Sequence, residues 1–363
     1  MAVTSYGVND TLAMKAWSRK LSVEVSKATP IAPLIGTSTN SIIQMKDELN
    51  KDKGDKVTFG LRMQLSGAGV TEGETLEGNE ESLTTYADSI LINELAHAVR
   101  VKNEGTIDVQ RVPFSLRQEA ENGLRDWYAD RLSLAFFLHA AGYTAPTVDF
   151  EGSTLTLSSK YYGFNTPTAP SSNNILRAGG VASDDLLTSS NYFTLDLIDK
   201  AVEKAKTANP KIRPARVDGG NYYVMYIHPY QTTSLRTITS TGQWMDIQKS
   251  AEKRGSDNPI FTGALGVYNN VILREAEHVA QGVSASTTKV TNARRAVLLG
   301  AQSCVAAFGM KFTPEKYDMR EELFDYQREL GVSCHTVFGM KKTVFNSVDF
   351  GTVVVATYAA AAS

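Results

Sequence analysis

Residues 56–65 alternate between polar or small side chains and apolar ones. The apolar positions are Val57, Phe59, Leu61, Met63 and Leu65. Because side chains on a strand point to its two faces in turn, this period of two predicts a strand with one buried face. A second extended segment runs from Tyr86 to Val101, and its apolar face changes near Asn93 and Glu94, which indicates a bulge or a bend. Together the two segments predict a long, twisted hairpin.

The connection between the two segments carries one sign of charge. Between Arg62 and Arg100 there are seven Asp or Glu residues and no Lys or Arg. Five of the seven form a cluster at the tip, which consists of Glu72, Glu74, Glu77, Glu80 and Glu81. Gly73 and Gly78 lie among these carboxylates, but the spacing does not match an EF-hand calcium loop. The cluster therefore reads as a solvated or partner-facing tip.

A hairpin of this length is difficult to bury against its own subunit, since ten residues of strand span roughly 33 Å. We expect it to reach a second subunit and to cover its apolar face there. The predicted contact residues are the apolar side of the first strand and the acidic tip, namely Val57, Phe59, Leu61, Glu72, Glu74, Glu77, Glu80 and Glu81. An arm of this kind points to a protein that acts as an assembly.

The longest helical pattern follows the hairpin. Ser115 and Gln118 have the spacing of a capping box, and Gly142 is a natural stop. Apolar residues recur between them at three- and four-residue steps, and the predicted core face consists of Leu116, Leu124, Trp127, Leu134 and Leu138. About 26 residues of helix span roughly 39 Å. Residues 132–141 are apolar on nearly every side, which predicts that the second half of the helix is buried.

The rest of the chain changes character near residue 190. Residues 1–55 show no compact core and read as an arm with a short helix, and residues 143–190 are polar and rich in loops. Beyond them the patterns predict a helix at 194–206, a strand at 222–227, a helix at 242–254 and an extended segment at 267–279. The apolar run 293–308 fits either a buried strand followed by a helix or one helix broken at Gly300. Strands are predicted at 335–338, 343–348 and 352–358, followed by a disordered alanine tail.

The composition is that of an ordinary folded protein of 363 residues, with 42% hydrophobic and 21% charged side chains. A net charge of −2 gives no reason to expect tight nucleic-acid binding. No run of about 18 apolar residues predicts a transmembrane helix, and the first residues do not resemble a secretion signal. Cys304 and Cys334 lie in apolar surroundings, which favours buried thiols in a reducing compartment over a bridge or a metal site with His335.

The histidines and the basic pairs provide little evidence for catalysis. None of His97, His139, His228, His278 and His335 lies in a recognisable metal or hydrolase motif. A soluble enzyme with His228 or His278 as its base remains an alternative, although no perturbed pair of titratable groups is evident. Three basic pairs could meet the acidic tip of a neighbour: Lys253–Arg254, Arg294–Arg295 and Lys341–Lys342. Lys15, Arg19 and Lys20 could instead face nucleic acid weakly.

Several segments resemble the N4-like phage major capsid protein family. They are residues 54–61, 69–70, 74–81, 223–229, 258–266 and 299–302, which read GDKVTFGL, GV, ETLEGNEE, YVMYIHP, NPIFTGALG and LGAQ. The stretch of glutamates and glycines is the most specific of these. The resemblance extends from about Ser41 to Tyr358 and therefore covers nearly the whole chain.

The resemblance implies an α+β fold, the capsid fold shared by tailed phages and herpesviruses (the Johnson fold). Its parts correspond to the predicted segments. The implied division is an N-terminal arm at 1–55, an extended β-hairpin loop at 56–112, a peripheral domain with a long spine helix at 113–190, an α/β axial domain at 191–333, and strands at 334–363 that return to the peripheral domain.

The function implied by the resemblance is that of a major capsid protein. Members of the family assemble as hexamers and pentamers into an icosahedral head around double-stranded DNA. The implied location is the virion, with assembly in the cytoplasm of a bacterial host. Because only residues 1–55 precede the extended loop, we expect a separate scaffolding protein, with a portal as a further partner. The sequence leaves open whether a decoration protein binds as well. We expect no catalysis, cofactor, metal or membrane, and an encapsulin-like compartment of the same fold is the alternative.

Overall fold

The computed structural model describes residues 29–46, 55–62, 65, 67–82, 85–217, 219–237, 265–309 and 317–361. The helix predicted in the arm, the helix predicted at 242–254 and the pair Lys253–Arg254 lie outside these residues, as do Lys15, Arg19 and Lys20. None of the helices in the described ranges is long and apolar enough to cross a membrane.

Two sheets and one long helix form the body of the described chain. The helices are α1 (Ile107–Arg111), α2 (Leu116–Ala140), α3 (Leu195–Thr207) and α4 (Pro229–Thr237). The strands of the first half are β1 (Ile35–Gly36), β2 (Ile43–Lys46), β3 (Lys56–Arg62), β4 (Thr85–Leu91), β5 (Asn93–Lys102), β6 (Thr147–Phe150), β7 (Ser153–Thr156) and β8 (Ile175–Arg177). Those of the second half are β9 (Ala215–Val217), β10 (Gly220–Ile227), β11 (Gly266–Tyr268), β12 (Val271–Glu275), β13 (Gln281–Val283), β14 (Lys289–Leu299), β15 (Cys304–Gly309), β16 (Asp318–Phe324), β17 (Glu329–Lys342), β18 (Val344–Phe345), β19 (Val348–Asp349) and β20 (Thr352–Tyr358).

The larger sheet has eight strands and the smaller sheet has six. The order of the larger is β11-β12-β10-β14-β20-β8, with β13 added to β14 and β9 to β10. The order of the smaller is β1-β2-β15-β17-β16, and β5 also pairs with β17. Three separate hairpins, β3–β4, β6–β7 and β18–β19, complete the described strands. The mixture of a sheet with α3 and α4, a second sheet and a long helix confirms the α+β class.

The long helix α2 begins and ends where the sequence predicts. The Gln118 N–H donates to the hydroxyl of Ser115, at 3.4 Å. At the other end, the N–H of Tyr143 donates to the carbonyl of Leu138 and the N–H of Gly142 donates to that of His139, which is a Schellman cap. Gly142 has φ +58°, and a Cβ there would lie 2.7 Å from the Thr168 carbonyl oxygen, so only glycine fits.

The core face of α2 agrees with the prediction at three positions of five. Leu124, Leu134 and Leu138 are buried, and every residue of 132–141 is buried as well. Trp127 is half-buried and stacks on the imidazole of His97 in β5, with ring centroids 4.4 Å apart. Leu116 is also only half-buried, because the first turn of α2 extends past the main core. The helix packs against β5 and β17 of the six-stranded sheet.

The apolar run 293–308 forms two strands, and neither predicted arrangement is correct. β14 and β15 belong to different sheets and are joined by the short connection 300–303. Val297 and Leu299 pack into the core around α2, whereas Ala296 and Leu298 pack into a second core with α3. A strand that is buried on both faces loses its period-two pattern and looks like a buried helix in sequence.

The sheets also cross the predicted domain boundaries. β15 and β16 fall within the predicted axial segment but lie in the six-stranded sheet, and β20 falls within the returning strands but lies in the eight-stranded sheet. The predicted strand 343–348 is instead a tight turn between β18 and β19, with positive φ at Asn346 and Ser347. The start of the alanine tail is ordered, because Ala359 is buried and its N–H donates to the Asn292 carbonyl at 2.9 Å.

The second arm of the predicted hairpin divides between two sheets. β4 pairs with β3, but the chain is interrupted at Ile92 and β5 then pairs with β17 from Asn93↔Phe338 to Lys102↔Glu329. The change of apolar face near Asn93 therefore marks the point where the chain leaves the hairpin and enters the six-stranded sheet. The projecting hairpin consists only of β3, β4 and the loop between them.

Candidate assembly surfaces

The base of the β3–β4 hairpin is buried within its own chain. Val57, Phe59 and Leu61 are 4%, 6% and 2% exposed. They pack with Ile90 and with side chains of β15 and the β18–β19 region: Val305, Ala307, Phe345 and Phe350. The prediction that the apolar side of β3 contacts another subunit is therefore wrong for the described chain. Its cover comes from segments more than 240 positions later, which local patterns cannot identify.

Polar contacts hold this base in place. Lys341 on β17 pairs with the carboxylate of Asp88 on β4, and its ammonium also donates to the Ser89 carbonyl at 3.0 Å. The side chain of Asn165 acts as an additional strand partner, since its oxygen accepts from the Leu91 N–H and its amide donates to the Leu91 carbonyl, both at 2.9 Å. Sequence reasoning missed these anchoring residues because their partners are remote in the chain.

The acidic loop, residues 67–82, is exposed along almost its whole length. Three of its glutamates accept hydrogen bonds from backbone N–H groups of the loop itself: Glu81 from Gly67 at 2.6 Å, Glu74 from Thr71 at 2.9 Å, and Glu80 from Gly78 at 2.8 Å. Glu72 and Glu77 are exposed as well. The loop therefore presents carboxylates on a backbone that its own side chains shape.

Two of the three basic pairs that could meet a neighbouring tip, Arg294–Arg295 and Lys341–Lys342, fall in the described residues and lie largely inside the chain. Lys342 is 1% exposed and binds Asp349 at 2.7 Å, and Lys341 binds Asp88 of its own hairpin. Arg295 is 4% exposed and binds Asp184 at 2.7 Å. Lys341, Lys342 and Arg295 therefore neutralise carboxylates of the same chain. Among the described residues, Arg294 has no carboxylate partner: it is 9% exposed, its guanidinium lies 5.5 Å from the centre of the Tyr230 ring, and its Nε and one terminal nitrogen have no hydrogen-bond partner.

The buried histidines hold loops. His139 Nε2 donates to the Tyr162 carbonyl at 2.8 Å, and burial lowers the pKa of this imidazole to about 4. The N–H of Tyr230 donates to His228 Nδ1 at 3.2 Å, and burial lowers the pKa of His228 to about 3. Neutral rings of this kind anchor the backbone after a helix or a strand. The two cysteines are buried free thiols, as predicted, and burial raises the pKa of each to about 12.

One cluster of potential metal ligands occurs in the described residues. Ligand atoms of Asp130 on α2, Glu151 in the β6–β7 turn and His278 after β12 lie within 4.8 Å of one another. Burial, followed by the nearby Glu151, raises the pKa of Asp130 to about 6. A cleft of about 90 Å³ adjoins Glu151 and His278. Two carboxylates and an imidazole are donors that divalent cations accept, and no other such group of three occurs in the ranges described above.

Comparison with known proteins places the chain among phage capsid proteins. Residues 5–361 match the family described as phage capsid protein. The major capsid protein of Pseudomonas phage KPP25 is similar, with 28% identity over 93% of this chain and 93% of its own length.

Solved structures show the same fold. The capsid of Ralstonia phage GP4 is 29% identical, with a TM-score of 0.80 and coverage of 100% of both chains. The capsid asymmetric unit of cyanophage Pam1 is 20% identical, with a TM-score of 0.65 over 99% of this chain and 94% of that one. These structures confirm the fold predicted from the sequence, that of tailed-phage capsid proteins. Because the family match extends over almost every residue, the chain belongs to the phage capsid protein family.

Proposed function

We propose that this chain is the major capsid protein of a phage head, which assembles as hexamers and pentamers into an icosahedral shell around double-stranded DNA. The observation that carries the proposal is the end-to-end similarity, in sequence and in fold, to the capsid of Ralstonia phage GP4. Both sheets, the long helix and the projecting hairpin fall within this similarity, because it covers 100% of the chain. The function is then mechanical and arises from contacts between copies.

The acidic loop is the proposed contact with a neighbouring subunit. Its carboxylates are exposed, whereas the apolar base of the hairpin is buried and fixed by Asp88, Lys341 and Asn165. The loop therefore projects from a stable base and offers negative charge to basic residues of another copy. A single exposed ion pair contributes only about 0–1 kcal/mol. Every subunit gives and receives such contacts, so that their effects combine over the shell.

Other components of the head follow from the same proposal. A separate scaffolding protein guides assembly, and a portal occupies one vertex. The chain has a net charge of −2, so its contact with packaged DNA is non-specific and local. Assembly takes place in the cytoplasm of the bacterial host, and the finished protein is part of the virion.

The test is to express the chain alone and together with the scaffolding protein of the same phage. Sedimentation and negative-stain microscopy should reveal closed shells. If only a monomer of 39.5 kDa is present under every assembly condition, the proposal is wrong. The contents of particles from infected cells separate a phage head, which holds DNA, from an encapsulin-like compartment, which holds a cargo protein.

A further inference from the structure

Three separate elements bring metal-ligand side chains together beside the long helix. Asp130 lies on α2, Glu151 lies in the turn between β6 and β7, and His278 follows β12. Their ligand atoms all lie within 4.8 Å of one another. Ligand atoms that share one ion at about 2.0–2.2 Å are at most about 4.4 Å apart. Small side-chain adjustments would therefore bring all three ligands onto a single ion.

The imidazole of His278 already faces the carboxylates. Its Nδ1 lies 3.0 Å from the hydroxyl oxygen of Ser133, a buried residue of α2. Its ring also packs against Phe150, with ring centroids 4.8 Å apart. The other ring nitrogen, Nε2, lies 4.0 Å from Oε1 of Glu151. Metal-binding histidines have this arrangement, in which a neighbour holds one ring nitrogen and the other nitrogen binds the ion.

The carboxylates of this group lack a positive partner. The charges that act most strongly on Asp130 are those of Glu151, Asp126 and Glu277, and all three are negative. In the part of the chain that the structure describes, no Lys or Arg forms an ion pair with Asp130, Glu151 or Glu277. Carboxylates that face one another repel, and a bound cation removes this repulsion.

A second feature of the same place points to a bound group. Glu151 and His278 line a cleft of about 90 Å³, and Arg294 lies along the same cleft. Arg294 is 9% exposed, and its Nε and one terminal nitrogen have no hydrogen-bond partner among the described residues. Buried donors of this kind are costly without an acceptor. A metal ion with three protein ligands keeps a further position for a water molecule or a small anion, whose oxygen is such an acceptor.

We propose that Asp130, Glu151 and His278 bind one divalent transition-metal ion of the zinc class, with a water molecule or a small anion in the remaining position. The donor set decides the class of ion. An imidazole suits Zn²⁺ and similar ions, whereas Mg²⁺ and Ca²⁺ take oxygen ligands. The bound ion joins α2, the β6–β7 hairpin and the segment after β12, and it stabilises the single chain before any assembly.

The test is a titration of the unassembled chain with Zn²⁺ alone, measured by calorimetry and by thermal unfolding. Wild type should bind the ion, and its Tm should rise by about 3–5 °C at a Zn²⁺ concentration about 100-fold above Kd. Glu151→Gln keeps the size of a side chain that is 57% exposed, so the fold should be unaffected. This variant should bind Zn²⁺ about tenfold or more weakly, and most of the rise in Tm should be lost.

Two substitutions on α2, one turn apart, provide a matched comparison. Asp130→Asn removes a ligand and should weaken binding about tenfold or more. Asp126→Asn removes the same charge from a residue that is 59% exposed and pairs with Arg125, and it should change the affinity by less than about threefold.

The proposal is overturned if wild type does not bind Zn²⁺, if Glu151→Gln binds it as tightly as wild type, or if Asp126→Asn loses as much affinity as Asp130→Asn. It is also overturned if Mg²⁺ at the same concentration raises Tm as much as Zn²⁺ does, because the imidazole would then have no role. The measurement does not depend on the formation of shells, so the metal site and the proposed function stand or fail separately.

Discussion

Two hairpins project from the described chain, and they differ in almost every respect. The β3–β4 hairpin ends in a long acidic loop whose shape depends on Glu74, Glu80 and Glu81. The β16–β17 hairpin ends in a tight turn, residues 325–328, in which the side chain of Tyr326 is 100% exposed. One tip presents carboxylates on an exposed loop, and the other presents an aromatic ring on a turn with positive φ at residues 325–327.

The difference suggests separate roles in assembly. Charge acts over a distance of about 8–10 Å in ordinary salt and increases the rate and selectivity of encounter more than the final affinity. An aromatic ring acts only in contact. We expect the charge of the acidic loop to act while subunits approach one another, and the base of the hairpin to keep the loop in place. Three experiments test this division between base and loop.

The largest expected effect is at the base of the acidic hairpin. Lys341→Met removes the cation that pairs with Asp88, whose side chain is 10% exposed, while it keeps the length of the side chain. The unfolding free energy of the unassembled chain should fall by about 3 kcal/mol, because a nearly buried carboxylate loses its partner. Denaturant titration followed by circular dichroism measures this change.

Asp88→Asn combined with Lys341→Met is the matched control for that experiment. The double variant should recover part of the loss, since neither a buried charge nor its partner remains. Strictly additive losses would contradict a direct interaction between the two side chains. If the hairpin base tolerates both changes without any loss of stability, the ion pair does not fix the base, and the contrast between a fixed base and an exposed loop fails.

A fall in pH should destabilise the region around the base of the β3–β4 hairpin, because His139 becomes protonated. The folded pKa of about 4 lies below the ordinary value of 6.5, so the unfolded chain takes up the proton first as the pH falls. The stability associated with the neutral ring is therefore complete above pH 6.5 and is lost as the pH falls to 4. The loss reaches up to about 3 kcal/mol. The His139 imidazole binds the carbonyl of Tyr162. Tyr162 is close in sequence to Asn165, whose side chain binds the last residue of β4.

His139→Gln keeps a donor for the Tyr162 carbonyl without a titrating ring. Its unfolding free energy, measured in denaturant at about pH 7 and pH 5, should change less than that of wild type. His228 contributes in the same direction in both proteins and cancels in the difference. Equal pH dependence in the two proteins would exclude His139 as the titrating group.

Substitutions in the acidic loop should have the smallest effect per residue. Replacement of Glu72, Glu74, Glu77, Glu80 and Glu81 by Gln removes five charges and keeps the oxygens that accept the loop hydrogen bonds. Assembly should become slower at about 0.05 M salt, and the difference from wild type should disappear at about 0.5 M salt, because exposed charges are screened. Light scattering during assembly measures both rates. If shells form equally fast at low salt, the loop only contributes solubility.

Local patterns predicted the parts of the fold that local interactions determine. The Ser115 cap, the Gly142 stop and the strand at 352–358 all follow from capping and from apolar runs within a few residues. The hydrophobic cover of β3 could not be predicted, because Val305 and Phe345 join it only through the tertiary fold. The same applies to Lys341, whose partner is identified by the pairing of strands and not by its neighbours in sequence. Tyr326 gave no signal, since an exposed aromatic in a turn has no period.

The position of β20 between β14 and β8 controls when the chain can complete its fold. Ile175 in β8 pairs with Val354 in β20, and β8 has no other partner in the sheet of the described residues. During synthesis, β8 therefore cannot pair in the sheet until β20, and with it nearly the whole described chain, has left the ribosome. Sheets with such distant pairings form slowly, and unfinished chains expose strand edges in the meantime. A partly made subunit thus lacks the rigid body on which both hairpins are mounted, which delays assembly until translation has passed β20.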